Sequence, residues 1–129
     1  MTTYLSVFEE IYRTYNRRDL VSPDPLQFLY EYQDVRDREL IGFIASSLAY
    51  GRVQQILASV SKVLEPLGKE PLHVLMSCSD AFLQKNYLGF RHRFTTGVEV
   101  IAMLKGLRKM FLVYGSLEDA VFYRIRKEQ

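Results

Sequence analysis

Apolar residues recur along most of the chain at intervals of three and four positions, which is the spacing of one face of an α-helix. Residues 53–67 keep this spacing for four turns, with polar residues between the apolar ones, and Gly68 follows as a helix-ending residue. Residues 4–16 repeat it, with Leu5, Phe8 and Tyr12 on one side and charged residues on the other. No segment alternates apolar and polar residues over five or more positions with β-branched enrichment. The chain is therefore predicted to be all α, without a sheet.

Capping residues predict where further helices begin. Asp24 and Pro25 start a short helix, with Gln27 at the position where a capping box places its second side chain. Thr96 and Glu99 have the same spacing in front of a long apolar segment. Further helices are predicted at residues 25–32, 35–50, 71–76 and 97–114. A short helix should follow a cap at Ser79 or Asp80, and a last helix should run from Ser116 to Arg126.

Residues 34–53 predict a helix at the centre of the fold. Asp34 is its N-cap, and Asp37 places negative charge in the first turn, where the helix dipole favours it. Residues 40–49 are apolar or small on nearly every face, so neighbouring helices should enclose them. Gly51 ends the helix and Arg52 follows it. We expect one domain over residues 1–129, a bundle of about six to eight helices around a buried helix near residues 35–50.

Composition and charge narrow the function classes only slightly. Seventeen Lys and Arg against fifteen Asp and Glu give a formal charge of +2, which does not by itself predict nucleic-acid binding. Residues 85–109 hold six basic residues and one acidic residue, Glu99, so an anionic partner should meet the second half of the chain. A single cysteine fits a cytoplasmic protein, and the apolar stretches are too short or too charged to span a membrane.

Residues suited to catalysis or metal binding are not grouped in the sequence. His73 and His92 stand apart from each other, and neither has a cysteine at metal-ligand spacing. The glycines are scattered singly rather than gathered in a phosphate-binding loop. Capping and ion pairing explain the acidic and basic residues at positions 34–39. We therefore predict no metal, no cofactor and no catalytic residue.

Residues 90–94, with the sequence FRHRF, alternate aromatic and basic side chains in a segment predicted to be irregular. One interpretation is a nucleic-acid surface that combines phosphate contacts with stacking. The other is that Phe90 and Phe94 anchor a loop to the core while the arginines bond to helix carbonyls. Arg52 is equally open, since it could hold a phosphate at a helix start or pair with an acid such as Asp37. The candidate nucleic-acid-binding residues are Arg52, Gln54, Gln55, Arg91, His92 and Arg93.

Three blocks of the sequence resemble a bacterial family of proteins of unknown function. They are DPLQFLYEYQDVRDRELIGFIASSLAYGRVQQIL at residues 24–57, FRHRFTTG at residues 90–97 and YGSLEDAVF at residues 114–122. That family is distantly similar to helix-hairpin-helix DNA glycosylases, and the resemblance implies that residues 40–64 lie near DNA. It also implies that this chain is the N-terminal portion of a longer architecture, whose later part holds the hairpin and the catalytic aspartate. On that basis this chain alone should not cleave a glycosidic bond.

Two function classes remain. The first is a DNA-binding module of a DNA-glycosylase-like protein, in which Arg52, Arg91, His92 and Arg93 should share one solvent-facing groove. The second is a helical protein–protein interaction or scaffold domain without a DNA role, in which these arginines should scatter or pair with acids. Because the chain would lack the later part of the longer architecture, the last helix, with Val121, Phe122 and Ile125, should expose an apolar face that a homodimer would cover.

Overall fold

Helices make up nearly all regular structure in residues 3–128, the part of the chain that the computed structural model describes. The α-helices are α1 (Tyr4–Tyr15), α2 (Val35–Ser47), α3 (Val53–Leu64), α4 (Pro71–Ser77), α5 (Asp80–Tyr87), α6 (Gly97–Tyr114) and α7 (Leu117–Lys127). Short 3-10 helices lie at Arg18–Leu20, Pro25–Glu31 and Glu65–Leu67. Strands β1 (Arg91–His92) and β2 (Thr95–Thr96) form an antiparallel hairpin. The all-α prediction is confirmed. The prediction that there is no sheet is wrong, because these two short strands pair.

The predicted capping residues begin most of these helices. The Asp34 side chain accepts hydrogen bonds from the backbone N–H groups two and three residues later, at 2.8 and 3.2 Å. Ser79 and Ser116 accept in the same way at the starts of α5 and α7, at 3.1 and 2.9 Å. Gln27 does not complete the predicted box with Asp24, because its Oε1 is buried without a hydrogen-bond partner in the described part of the chain.

α2 lies at the centre of the fold, as predicted. It packs against α3, α4, α7 and the 3-10 helix Pro25–Glu31. Leu40, Ile41 and Ile44 are fully buried, and each contributes roughly 1.5–3 kcal/mol through removal of its side chain from water. The enclosure is less complete than predicted, because Phe43 on the same helix is 45% exposed.

α2 ends at Ser47, three residues before the predicted end at residue 50. The hydroxyls of Ser46 and Ser47 both donate to the carbonyl of Phe43, at 3.0 and 2.7 Å. Such hydroxyls give the backbone an alternative to helical hydrogen bonds. Tyr50 consequently lies outside the helix, where its side chain contacts the hairpin.

The hairpin is fixed at both ends by the contact between α5 and α6. Gly97 begins α6 so close to α5 that a Cβ built on it would lie 2.0 Å from the carbonyl oxygen of Tyr87. The Tyr87 ring is fully buried and its hydroxyl donates to the carbonyl of Val63 in α3 at 2.8 Å. Burial raises the pKa of Tyr87 well above its ordinary value. The segment between α5 and α6 is therefore held against α3.

Two helices expose apolar side chains. α1 has no buried residue, and Phe8 on its apolar side is 65% exposed. On α7, Val121, Phe122 and Ile125 are 59, 49 and 47% exposed, as predicted for this helix. None of the helices within residues 3–128 combines the length and apolarity needed to cross a membrane.

Candidate nucleic-acid interface

The turn after α2 is joined to the hairpin by reciprocal hydrogen bonds between Tyr50 and His92. The Tyr50 hydroxyl donates to the His92 carbonyl at 2.9 Å, and His92 Nε2 lies 3.0 Å from the Tyr50 carbonyl. The Tyr50 hydroxyl also hydrogen-bonds with the hydroxyl of Thr95 on β2. Segments more than forty residues apart in the chain are thereby fastened together. We call residues 50–52 with residues 91–96 the turn–hairpin junction.

His92 lies inside this junction, with 2% of its surface exposed. Because a carbonyl oxygen can only accept, Nε2 donates to Tyr50, and Nδ1 shares a hydrogen bond with the Ser59 hydroxyl at 2.8 Å. Both ring nitrogens are occupied, and the ring links α3, the turn and β1. A direct contact between His92 and a phosphate, as the sequence predicts, would require the hairpin to open.

Gly51 leaves room for the side chain of Arg93, at the tip of the hairpin, to pack against the turn after α2. Its φ of 100° lies in the left-handed region, which glycine tolerates. A Cβ built on Gly51 would lie 3.0 Å from Cδ and 3.2 Å from Nη1 of Arg93. The Arg93 side chain therefore packs against Gly51, the residue before Arg52. Arg93 itself has a φ of 53°, which turns the chain between the two strands.

Arg52, Arg91 and Arg93 are exposed on the outside of the junction. Arg91 Nε donates to the Arg93 carbonyl at 3.2 Å, which keeps these two close. No Asp or Glu oxygen of residues 3–128 lies within 4.0 Å of a charged nitrogen of the three. The junction therefore presents three positive charges without acidic partners among the described residues.

Asp37 and the acidic residues that form ion pairs have partners other than these three arginines. Asp37, the partner considered for Arg52, accepts a hydrogen bond from the backbone N–H of Leu72 at 3.0 Å. Ion pairs occur instead between Arg13 and Glu9, Arg17 and Asp19, Lys105 and Asp80, and Arg108 and Asp80.

Glu99 is the acidic residue nearest in sequence to the hairpin, and its carboxylate is hydrogen-bonded at the start of α6. Thr96 and Glu99 form the predicted capping box, in which the Glu99 carboxylate accepts from the Thr96 backbone N–H at 2.9 Å and from the Thr96 hydroxyl. The side-chain hydrogen bond from Thr96 is the main reason that the pKa of Glu99 is lowered. The Glu99 charge is thus directed at the helix start and is not paired with an arginine.

The N-terminus of α3 adjoins the three arginines. Arg52 is the N-cap residue and its side chain makes no capping hydrogen bond, while its carbonyl accepts from Gln55 and Ile56. Gln54 and Gln55 are exposed in the first turn. A helix start carries backbone N–H groups without intrahelical partners and a partial positive charge.

The two phenylalanines of the FRHRF segment have different environments. Phe90 is partly buried and packs against the core, as the loop-anchor interpretation predicts. Phe94 is 76% exposed, so the prediction of a second core anchor is wrong for it. Its ring stacks on Tyr50, with 5.1 Å between centroids and 13° between planes. Tyr50 in turn meets the His92 ring edge-on at 4.6 Å.

Three residues that build the junction were not among the predicted site residues: Tyr50, Ser59 and Thr95. Ser59 carries a signal that sequence reasoning could have used, because it lies on the apolar side of α3 with Ile56 and Val63 and is 5% exposed. A polar residue on a buried helix face needs a hydrogen-bond partner from another element. Tyr50 and Thr95 carry no comparable signal.

The described residues hold no group of three or more His, Cys, Asp or Glu side chains arranged to bind a metal ion. The chemistry that the junction offers is positive charge, backbone N–H groups and one exposed aromatic ring.

Comparison with protein families gives a match over residues 24–129 to "Protein of unknown function (DUF2400)". The chain belongs to the DUF2400 family. The matched residues include the whole turn–hairpin junction, whereas α1 precedes them. The comparisons with curated proteins and with solved structures found no match. The similarity to DNA glycosylases therefore stays a prediction.

Proposed function

We propose that this DUF2400 chain is a nucleic-acid-binding module, with DNA as its ligand, from a DNA-glycosylase-like protein. The observation that supports this most is the cluster of Arg52, Arg91 and Arg93, exposed together on one junction and without acidic partners in residues 3–128. Like charges held close together repel, and a polyanion bound across them relieves that repulsion.

The groups around the cluster suit phosphate recognition. A guanidinium binds phosphate oxygens through two parallel hydrogen bonds, which fixes orientation as well as adding affinity. The start of α3 adds backbone N–H groups and the positive end of a helix dipole beside Arg52. Gln54 and Gln55 extend from the same turn and can hydrogen-bond to the sugar–phosphate backbone.

The proposed function is binding and not bond cleavage. Within the described residues, Asp34, Asp24 and Glu99 serve as helix caps, and His92 is buried with both nitrogens bonded.

Binding can be tested by fluorescence anisotropy with labelled DNA over a range of salt concentrations. The double variant R91Q/R93Q should bind about tenfold or more weakly at low salt, because the charge-assisted phosphate contacts of two guanidinium groups are lost. The slope of log affinity against log salt should fall in magnitude by about 1.5, since each phosphate contact contributes roughly 0.7–0.9.

The matched control is R13Q/R17Q, which removes the same net charge from two exposed arginines that pair with Glu9 and Asp19. It should leave the affinity within about twofold and the salt slope unchanged. Equal losses in both variants, or no DNA binding by the unmodified chain at low salt, would defeat the proposal.

A second candidate function is self-association, favoured by an apolar groove between α2, α6 and α7. The groove has a volume of about 650 Å³ and is lined mainly by apolar residues such as Phe43, Met110 and Val113. Two basic residues, Lys109 and Arg124, also line it. We propose that α1 of a second copy occupies this groove, because α1 exposes an apolar side and carries Glu9 at the edge of that side, one turn from Leu5 and Tyr12. The apolar residues on the outside of α7 would then border the dimer.

Sedimentation velocity at increasing protein concentration tests this dimer. The variant Phe8→Glu places a charge on the apolar side of α1 and should leave only monomer. Ser6→Glu adds the same charge two residues earlier, on nearly the opposite side of the helix, and should leave the dimer intact. A monomer at every concentration in the unmodified chain would exclude this candidate.

A further inference from the structure

Phe94 is the aromatic residue at the tip of the hairpin, and most of its ring faces water. It is 76% exposed although one face stacks on Tyr50 at 5.1 Å between centroids. Leaving a phenylalanine ring in water is unfavourable relative to burying it. An aromatic face left open at a turn, directly after Arg93, is a surface on which another flat ring can stack.

The tyrosine on which Phe94 stacks is itself fixed by hydrogen bonds. Tyr50 hydrogen-bonds through its hydroxyl to His92 and Thr95 and through its carbonyl to the His92 ring. Stacking on a fixed ring restricts the orientations of Phe94, which lowers the entropy cost of ordering it on binding.

The chemistry of Phe94 selects among nucleic acids. A phenyl ring has no hydrogen-bond donor or acceptor, so it cannot read base edges in a duplex groove. It can stack on the face of any base, but within a duplex those faces are covered by neighbouring base pairs. Open base faces occur in single strands.

We infer that the ligand of the junction is single-stranded nucleic acid, with one base stacked on the outer face of Phe94 and the adjacent phosphate on Arg93. This inference rests on the proposed function and adds the strand state of the ligand to it. Because stacking needs no particular base, the binding is tolerant of sequence.

Fluorescence anisotropy with a labelled twelve-nucleotide dT strand and with a duplex of the same length separates base stacking on Phe94 from phosphate contacts. Phe94→Leu keeps an apolar side chain without an aromatic face, and it should weaken single-strand binding by about 5-fold to 100-fold while leaving duplex binding unchanged. Phe94→Tyr keeps the ring and should bind the single strand within about twofold of the unmodified chain. The control is Phe122→Leu, at a half-exposed phenylalanine of α7.

The outcomes distinguish this inference from the proposed function. If R91Q/R93Q weakens binding but Phe94→Leu does not, or if Phe94→Leu weakens both ligands equally, the stacking inference is wrong and the binding function stands. If Phe94→Tyr is as weak as Phe94→Leu, stacking is again excluded. If the unmodified chain binds neither DNA at low salt, both are wrong.

Discussion

α1 and the turn–hairpin junction contrast in how regular they are and in how firmly they are held. α1 has a regular helical pattern over twelve residues, yet none of its residues is buried. Each strand of the hairpin has only two residues, yet His92 is buried with both ring nitrogens bonded to other segments. Regular spacing therefore identifies a helix in this chain without showing what the helix packs against.

The difference has a physical basis in where each segment finds its partners. Helical hydrogen bonds connect residues four apart, so α1 forms its own without contact to the rest of the chain. A two-residue strand has too few local hydrogen bonds to be stable alone, so the hairpin depends on Tyr50 and Ser59 from other elements. A segment of the second kind is rigid only while those distant contacts hold.

The largest expected effect is at Gly97, where the hairpin enters α6. A Cβ at this position would lie 2.0 Å from a backbone oxygen of Tyr87, so Gly97→Ala must move α5 and α6 apart. We expect the free energy of unfolding to fall by about 3 kcal/mol or more, measured by urea unfolding. The hairpin should lose its position together with the helices.

Gly106, within the same helix, is the matched control. A Cβ built there meets nothing within 4 Å. Gly106→Ala should therefore stabilise the protein by about 0.5–1 kcal/mol, through helix propensity. If Gly97→Ala were as harmless as Gly106→Ala, the hairpin would be no more firmly held than α1.

Much of the fold could be predicted from the sequence because local chemistry specifies it. Asp34, Ser79, Ser116 and the Thr96–Glu99 box cap helices as their spacing predicts, and the long apolar segment forms α6 as expected. The end of α2 and the form of residues 25–31 were predicted less well. At the end of α2, the Ser46 hydroxyl competes with helical hydrogen bonds. In residues 25–31, Gln27 Oε1 is buried without a hydrogen-bond partner among the described residues, and that burial depends on the tertiary fold.

The candidate site could be predicted in residue type and less well in arrangement. Alternating aromatic and basic residues indicated the segment, and Arg52, Arg91 and Arg93 are exposed there. The burial of His92 and the exposure of Phe94 follow from strand pairing and from the contact with Tyr50, more than forty positions earlier. Neither signal exists in the five residues themselves.

Two serine hydroxyls give the finest test of the contrast, because their hydrogen bonds have nearly the same length. Ser59 bonds to His92 at 2.8 Å inside the junction, and Ser6 donates to the Thr3 carbonyl at 2.7 Å in α1, where water reaches both groups. Ser59→Ala leaves His92 Nδ1 buried without a partner, which should cost about 1–3 kcal/mol of unfolding free energy. Ser6→Ala should change it by less than about 0.5 kcal/mol, because water replaces the lost hydroxyl. Urea unfolding at a protein concentration low enough to keep the chain monomeric would measure both. Equal effects would mean either that the junction opens to water or that α1 packs against the domain in solution.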